Sequence, residues 1–425
     1  MVFRLVKKDF MKNWFINLLI VLLLVITFLA IMTVASAIRL KLQKYETFAS
    51  YLEQKGYYTE SGYLQKEDEN GQPVLLRDAQ ELKEYLPGVD QVLSVGKIWE
   101  PYLDGSDTAW NAWCYSPAVV DILHPQMQEG RWFTKKDREA DVLHAVVSYN
   151  TEGIKVGETY ELSSSITDAK IKVQVIGIMK DRQSLFNADE ARQQYGDYRD
   201  FYYTYDYEAE DQTPLLILDD GQILNEKTGD AFKYLNYRLS PDKGFQKQLF
   251  GGTLFTFDKG LDKADQKKLL MKFTENSSLN RCVTLTSMKK KSWDYILSEY
   301  YQYLPVLICL FVFVVIAAIS ANVITVKRQL RNYAIYYICG LSWKKCACIS
   351  LFVGMFGAGL AFLLATAGVA VVQVGGLVKN TALQLGSWQL IGCVVTAAGY
   401  ILLSWSVPLG IVRKTSAKEI MTTAE

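Results

Sequence analysis

Side chains that could carry chemistry are few in this chain of 425 residues. Its two histidines, His124 and His144, are too few for a histidine-based zinc cluster. Asp219-Asp220-Gly221 lacks the rest of a calcium-binding loop, and the sequence contains no GxxxxGK[ST] phosphate loop. Paired acids are plentiful, but no spacing selects two of them for acid–base catalysis. The sequence therefore predicts no catalytic residue, no metal site and no cofactor on this chain.

The most informative spacing belongs to a basic loop, Lys327–Lys345. Basic residues stand at both ends of the loop, around an apolar and aromatic run, Tyr333–Cys339. Gly340 is expected to break a helix and Ser342 to cap the next one. A loop that only obeys the positive-inside rule and binds anionic headgroups is one hypothesis. A short apolar helix that docks into a groove on a partner explains the apolar run better. The candidate docking residues are Lys327, Arg328, Arg331, Asn332, Tyr333, Ile335, Tyr336, Ile338, Gly340 and Ser342.

Four long apolar runs predict a membrane protein, because about 20 apolar residues in a helix cross a bilayer core. The third run is too long for one span and is expected to leave the bilayer near Gly368–Val372. Ala35-Ser36-Ala37 resembles a signal-peptidase site, but the preceding run is longer than a signal peptide requires, which favours an uncleaved anchor. The runs are Phe15–Ile38, Leu304–Val326, Cys346–Val378 and Trp388–Val412.

Charge sets the predicted orientation. The segments predicted to lie inside carry 12 basic and 3 acidic residues, whereas residues 39–303 carry 33 basic and 42 acidic residues. The positive-inside rule then places both termini and the basic loop on the cytoplasmic side of the membrane. Nucleic-acid binding is excluded by the acidic exterior and the topology.

The predicted organisation is a four-helix membrane protein with a large α+β domain between the first and second helices. The boundaries are 1–14 for an amphipathic cytoplasmic helix, 15–38 for the first transmembrane helix, 39–303 for the external domain, 304–326 for the second helix, 327–345 for the coupling loop, 346–372 for the third helix, 373–387 for a short external segment, 388–412 for the fourth helix and 413–425 for a cytoplasmic tail.

Helices and strands at both ends of the external domain predict an α+β unit in which the two ends of the domain pack together. A helix with Asp78 as its N-cap and an apolar stripe from Ala79 to Leu86 stops at Pro87-Gly88, and an amphipathic helix is predicted over Leu261–Thr274. The aromatic-rich stretch Ser292–Tyr303 is expected to run without a break into the second span. Strands are predicted at Val89–Ile98, Val142–Ser148, Thr159–Ser163, Ile171–Met179, Thr253–Phe257 and Arg281–Thr286.

An acidic, tyrosine-rich segment interrupts this pattern. Asp181–Asp220 holds 11 acidic and 3 basic residues. Residues 181–247 as a whole are interpreted as a variable insertion. One hypothesis is a contact surface for an external protein or peptide, since tyrosine gives contact area at low entropy cost. The alternative, which is favoured, is a solvated insertion that covers a sheet. The candidate contact residues are Tyr198, Tyr202, Tyr203, Tyr205 and Tyr207.

Cysteines leave two alternatives open. Five of the seven lie in or beside the apolar runs, and only Cys114 and Cys282 lie in the external domain. These two either form a disulfide bond or remain free thiols.

At this point the chain resembles the MacB/FtsX-type (type VII) permeases of ATP-binding-cassette systems. The span order is similar, and Arg331–Ser342 resembles the pattern R-E-I-x-x-x-K-A-x-G-x-S. Asn332 replaces the usual acid, and Ala417 stands where many members have proline. The other matching stretches are Leu86-Pro87-Gly88-Val89, Gly130-Arg131-Trp132-Phe133 with Asp137, Val142–Ser148, Val156-Gly157 and Val175-Ile176-Gly177-Ile178.

The resemblance implies a system with several partners in a bacterial plasma membrane. A cytosolic ATPase dimer would hold ATP and Mg²⁺ and dock on the loop helix and on the N-terminal helix, whose face is Phe3, Val6, Phe10 and Trp14. A second permease subunit, identical or paralogous, would pack through the spans in the lipid. A stripe of small residues on the third span permits close helix approach, either to that subunit or within this one. The stripe is Gly354, Gly357, Ala361 and Ala365.

Three function classes follow. The leading hypothesis is a subunit that couples ATP hydrolysis to movement of the external domain, for export or release of a peptide, lipoprotein or amphiphile, or for resistance to one. The alternative is a membrane sensor or regulator whose external domain binds a ligand or controls a cell-wall hydrolase. A membrane-anchored surface enzyme is the least supported class, because no catalytic constellation is found.

Overall fold

A computed structural model of the chain divides into two compact units, which are described separately. One unit is Gln43–Tyr295, and the other combines Met1–Leu42 with Ile296–Glu425. The structure describes residues 6, 10–59, 65–76, 79–98, 101–103, 110–149, 151, 153–164, 167–181, 183–186, 195–204, 214–223, 248–249, 253–275, 282–340, 343–374 and 385–414.

The helices are α1 (Trp14–Leu52), α2 (Ala79–Tyr85), α3 (Pro117–Ile122), α4 (Asp220–Ile223), α5 (Lys263–Glu275), α6 (Leu285–Ile338), α7 (Trp343–Val374) and α8 (Ser387–Lys414), with 3-10 turns at Lys135–Glu139 and Tyr198–Phe201.

The strands are β1 (Gly56–Thr59), β2 (Gln65–Glu67), β3 (Pro73–Leu75), β4 (Val89–Leu93), β5 (Val95–Ile98), β6 (Pro101–Leu103), β7 (Asn111–Tyr115), β8 (Met127–Gly130), β9 (Leu143–Val147), β10 (Thr159–Ser164), β11 (Thr167–Met179), β12 (Ser184–Phe186), β13 (Tyr202–Thr204), β14 (Leu215–Asp219), β15 (Gln248–Leu249), β16 (Leu254–Phe257) and β17 (Cys282–Thr284).

The two ends of the external domain meet in a four-stranded antiparallel sheet of order β17-β1-β16-β4. Early strands β1 and β4 therefore pair with late strands β16 and β17, as the α+β prediction required. Helices α2 and α5 cover this sheet through an apolar cluster that includes Leu82, Phe255 and Phe273. Each is fully buried, and burying a large apolar side chain contributes about 1.5–3 kcal/mol.

The external domain also contains a nine-stranded sheet in the order β15-β5-β7-β14-β9-β11-β10-β6, with β8 paired to β11. The pairs β7–β14 and β9–β11 are parallel, and the other neighbours are antiparallel. Two two-stranded antiparallel sheets, β2–β3 and β12–β13, complete the strands that the structure describes.

The predicted strand Val89–Ile98 is wrong as a single element. It divides at Ser94 into β4 and β5, which belong to different sheets. The Ser116 hydroxyl accepts a hydrogen bond from the Ser94 amide and donates one to the Val92 carbonyl, at 3.0 and 3.1 Å. These bonds satisfy the backbone where the chain leaves one sheet and enters the other.

The interpretation of 181–247 as an insertion outside the core is wrong for its β14 portion. Strand β14 lies between β7 and β9 inside the large sheet, and all five of its residues are buried. Its run of aliphatic residues, Leu215–Leu218, fits a strand that is covered on both faces. Residues 224–247 lie outside the described residues.

Helices α1, α6, α7 and α8 each contain a stretch that is long and apolar enough to cross a membrane. Helix α1 continues beyond the predicted first span to Leu52, and α6 begins at Leu285, well before the predicted second span. The stretch Ser292–Tyr303 is helical throughout and continues into the apolar part of α6, which confirms that prediction.

Candidate functional site

The predicted coupling segment is a helix end followed by a glycine turn. Helix α6 runs through Lys327 and Arg328 to Ile338, and the Cys339 amide donates a 2.9 Å hydrogen bond to the Ile335 carbonyl. Gly340 has a φ of +93°, the left-handed conformation that commonly ends a helix. Gly340 therefore ends the helix as predicted. Ser342, the predicted cap of the next helix, lies outside the described residues.

The loop helix presents both charge and apolar surface to its surroundings. Lys327 and Arg328 are exposed, while Asn332 and Tyr336 are half-buried. Ile335 is 44% exposed and Ile338 is 64% exposed. These isoleucines are three residues apart and share one helix face. For Arg331 and Tyr333 the structure describes the backbone and not the side chain.

The N-terminal face predicted for ATPase docking is partly wrong, because two of its members are covered within the chain. Val6 is only 4% exposed, and the Phe10 ring packs edge-to-face on Phe356 of α7, with centroids 5.1 Å apart. Trp14 remains 58% exposed, and Phe3 lies outside the described residues.

The small-residue stripe on α7 packs within the subunit. Ala361 and Ala365 are fully buried, in a cluster that also contains Val21 and Phe28 of α1. A Cβ added at Gly357 would lie 3.7 Å from the Val21 side chain. Gly354 differs, since an added Cβ there would meet nothing within 4 Å. Of the two alternatives for the stripe, the contacts of Gly357, Ala361 and Ala365 favour packing against α1.

A second helix contact joins α8 to α1 through polar groups. The Gln389 side-chain amide donates a 3.1 Å hydrogen bond to the Ser36 hydroxyl, and both residues are 2% exposed. One turn later the Cys393 thiol lies 3.8 Å from the Phe28 carbonyl. Polar groups buried between apolar helices fix their register, because each must find a partner. Sequence reasoning missed this contact, since a lone glutamine at the start of a span carries no partner signal.

In the external domain, the Gly130–Phe133 motif and Asp137 form one polar cluster. Arg131 donates two hydrogen bonds of 2.7 Å to Asp137, and the Thr134 amide and hydroxyl donate two more. His144 Nδ1 lies 2.8 Å from the same carboxylate. Burial opposes ionisation of Asp137, but these donors outweigh it and hold its pKa well below the usual range. The cluster ties β8, the 3-10 turn and β9 together.

A second polar cluster joins this turn to the core strand β14. Arg138 donates 2.8 Å hydrogen bonds to Asp219 and Asp121. Burial raises the pKa of Asp219, and Arg138 opposes that rise. Asp219 also accepts a bond of 2.8 Å from the Gly221 amide, so the triplet examined as a calcium loop is a helix-start turn. Among the described residues, no three His, Cys, Asp or Glu side chains are placed to share a metal ion.

Of the five tyrosines predicted to form a contact surface, Tyr198 is the one whose side chain the structure describes, and it is buried. Tyr198 is 2% exposed and packs on Tyr45 and Tyr295, so its ring is not available to an external partner. Its burial follows from docking of the 3-10 turn against α1 and α6. For Tyr202 and Tyr203 the structure describes only the backbone, and Tyr205 and Tyr207 lie outside the described residues.

Cys114 and Cys282 do not form a disulfide bond, which rules out the first of the two alternatives. Cys114 is buried in β7 of the large sheet, whereas Cys282 is half-buried in β17 of the small one.

Comparison with known proteins adds a family to this geometry. Residues 14–222 match the MacB-like periplasmic core domain. The periplasmic region of MacB from Actinobacillus actinomycetemcomitans is 11% identical, with a TM-score of 0.28, over 56% of this chain and 90% of that one. The extracellular domain of the ABC-type transporter YknZ from Gram-positive bacteria is 12% identical, with a TM-score of 0.27. That match covers 54% of this chain and 98% of the YknZ domain. No curated protein matches the chain.

The family match includes α1, both external sheets up to β14, and the Arg131–Asp137 cluster. The match ends at Gln222, directly after the core strand β14, so the family domain includes the portion that composition had assigned to an insertion. The remaining residues supply three further apolar helices. A MacB-like periplasmic core domain over residues 14–222, together with four apolar helices, supports identification of the chain as a MacB/FtsX-type permease subunit of an ABC transporter.

Proposed function

We propose that this chain transmits the movement of a cytosolic ATPase dimer to its own external domain. ATP and Mg²⁺ act in the partner, and two permease subunits, identical or paralogous, stand side by side in the lipid. Both termini and the Gly340 turn face the cytoplasm. The movement serves export or release of a peptide, lipoprotein or amphiphile, or resistance to one.

The observation that carries this proposal is the continuity of α6. The helix begins at Leu285, directly after β17, and continues for 54 residues to Ile338, two residues before Gly340. At 1.5 Å per residue such a helix is about 80 Å long. A continuous helix has no loop that would absorb a displacement, so movement at its Gly340 end reaches the external sheet. Only Pro305 interrupts its hydrogen-bond pattern from within.

Exposed groups near Gly340 support a docking role for the same end of α6. Ile335 and Ile338 place apolar surface on one face, and Lys327 and Arg328 place positive charge earlier on the helix. An apolar helix face of this kind fits a groove on a partner protein. Acidic groups at the rim of that groove would steer the encounter through Lys327 and Arg328.

We expect Ile338→Asp to abolish recovery of the ATPase when the tagged full-length chain is purified in mild detergent. Ile338 is 64% exposed, so the substitution buries no charge within the chain, but it places a carboxylate in an apolar groove. Mass spectrometry of the co-purified proteins measures the result.

Ile338→Leu keeps the apolar surface and should retain the ATPase in near-wild-type amount. Equal recovery with Ile338→Asp would remove this residue from the docking site. Recovery of a kinase or external enzyme, with no ATPase, would instead favour the sensor function.

A double substitution tests whether α6 transmits movement as one continuous helix. Tyr300 and Tyr301 are 41% and 66% exposed, and the Tyr301 carbonyl already lacks the amide donor that Pro305 cannot supply. Replacing both tyrosines by glycine should weaken the helix by about 2 kcal/mol relative to replacing both by alanine. We expect the glycine pair to reduce permease-dependent ATPase stimulation severalfold in nanodiscs.

The alanine pair removes the same side chains and is the matched control. Both variants should bind the ATPase normally, because the loop helix is untouched. Equal ATPase stimulation by the two variants would mean that the continuity of α6 is not needed to transmit movement.

A further inference from the structure

A short segment, Tyr195–Asp200, docks on the outer turns of both α1 and α6 within the Gln43–Tyr295 unit. The Tyr198 ring packs on Tyr45 of α1 and Tyr295 of α6, with centroid distances of 6.3 and 5.8 Å. The Tyr198 amide donates a 3.0 Å hydrogen bond to the Ser292 hydroxyl of α6. Tyr198 is only 2% exposed, so the segment packs closely against the two helices.

Arg199 adds a cationic bridge between this segment and α6. Its guanidinium carbon lies 3.7 Å from the ring centroid of Tyr195 and 3.7 Å from that of Tyr295. Asp197 accepts hydrogen bonds from Nε and Nη2 of Arg199 at 3.0 and 2.7 Å, which orients the cation. A guanidinium plane stacks on aromatic faces as well as pairing with a carboxylate, and lysine cannot reproduce that geometry.

The segment is held in its turn by a buried carboxylate. Asp200 is 1% exposed and accepts hydrogen bonds from the amides of Gly196 and Tyr195, at 2.6 and 3.2 Å. Burial raises the pKa of Asp200 to about 6, against the lowering effect of these donors. The structure tolerates this buried carboxylate because the backbone amides of the turn satisfy its hydrogen-bonding capacity.

A neighbouring contact continues the connection to the large sheet. Phe48 of α1 packs on Phe186 of β12 with centroids 5.3 Å apart. The Tyr115 hydroxyl of β7 donates a 2.8 Å hydrogen bond to the Phe186 carbonyl. Burial raises the pKa of Tyr115 well above its usual value, so the hydroxyl remains a proton donor. The outer turns of α1 are therefore joined both to Tyr198 and to the central strands.

We infer that Tyr198 and Arg199 are positioning residues of a clasp, Tyr195–Asp200, that makes the outer turns of α1 and α6 move with the external domain as one body. The inference rests on the proposed function, since it names the joint at which helix movement enters the domain. Apart from the clasp, α6 is attached through the three-residue strand β17 and through contacts to α1, where Trp293 packs on Tyr45 and Lys289 pairs with Glu53. Loss of the clasp would loosen this attachment, so that part of a rotation of α6 would not reach the sheets.

Pulsed electron paramagnetic resonance on the full-length chain with its ATPase in nanodiscs tests this. Spin labels at Lys290 of α6 and Lys180 after β11, both exposed, report the distance between α6 and the sheet. We expect one narrow distance that is the same without nucleotide and after trapping with ATP and vanadate. Arg199→Ala should broaden that distance in the trapped state and lower ATPase stimulation severalfold, while ATPase binding stays intact.

Three variants keep the test decisive. Lys268→Ala removes a 78% exposed cation that pairs with Asp265 and should change neither distance nor stimulation. Arg199→Lys keeps the charge without the planar stack and should rescue stimulation only in part. Ser292→Ala removes the acceptor of the Tyr198 amide and replaces Arg199→Ala if that variant folds poorly.

Two results would overturn the clasp. One is a broad distance in the wild-type chain while the ATPase is bound. The other is a narrow distance and full stimulation in both Arg199→Ala and Ser292→Ala. Failure of the wild-type chain to bind an ATPase would overturn the proposed function instead, and the nucleotide-free distances of the wild-type and variant chains would still judge the clasp.

Discussion

Replacing Gly340 by valine is expected to lower permease-dependent ATPase stimulation about tenfold or more, with the chain still inserted in the membrane. Gly340 has a φ of +93°, and a left-handed conformation costs an ordinary residue about 1–2 kcal/mol, with β-branched side chains fitting it worst. The turn would relax to another conformation and change the direction in which the chain enters α7. ATP turnover by the reconstituted complex measures the effect.

The cause of that loss is backbone strain and not crowding. A Cβ at Gly340 would meet nothing within 4 Å, so the space around it accepts a side chain. Asparagine tolerates the left-handed region far better than valine. Gly340→Asn should therefore keep most of the stimulation. If Gly340→Val kept it as well, the conformation of this turn would not matter for coupling.

The membrane part of the fold was predictable because its signal is local. A run of some twenty apolar residues predicts a spanning helix without knowledge of any partner, and Gly340 followed an apolar helix at the position where a left-handed residue ends it. The extension of α1 to Leu52 was harder to predict, because its outer turns are polar and depend on contacts such as Phe48 on Phe186 for their burial.

The core strand β14 was missed because it follows an acidic stretch in the sequence, although in the fold it lies between two buried strands. Leu215–Leu218 follow an acidic stretch, which drew the whole segment into the insertion. Its neighbours β7 and β9 are distant in sequence, and the Arg138–Asp219 contact joins residues 81 positions apart. Pairing of this kind is decided by tertiary packing, which one sequence does not display. A four-residue aliphatic run was the one available signal.

The glycines of the external motifs were recognised by resemblance, and the structure gives their physical reason. A Cβ at Gly130 would overlap the Ile176 carbonyl, and one at Gly177 would overlap the Arg131 carbonyl. Strands β8 and β11 approach each other too closely for any side chain at these two positions. The same close approach places Arg131 beside the turn that carries Asp137.

Asp137→Asn is expected to lower the free energy of unfolding of the external domain by about 3 kcal/mol. The Asp137 carboxylate is 2% exposed and binds Arg131, Thr134 and His144, and breaking a buried, hydrogen-bonded ion pair costs about 3–5 kcal/mol. The lower end applies because Arg131 is 50% exposed and returns to solvent. In the variant, the side-chain NH2 group of asparagine would also face the donor groups of Arg131 or Thr134, which it cannot pair with. Thermal or denaturant unfolding of the full-length chain measures the loss.

The pH dependence identifies the source of that loss. The donors hold the pKa of Asp137 below its usual range in the folded state, so its contribution is present above the unfolded pKa of about 4 and is lost as pH falls through the folded value. The wild-type domain should therefore lose stability on acidification below about pH 5, and Asp137→Asn should lose less over that range. Glu129→Gln changes an exposed carboxylate near the same turn and should leave the acid dependence unchanged. Parallel acid profiles for wild type and Asp137→Asn would show that the ion pair does not stabilise this domain.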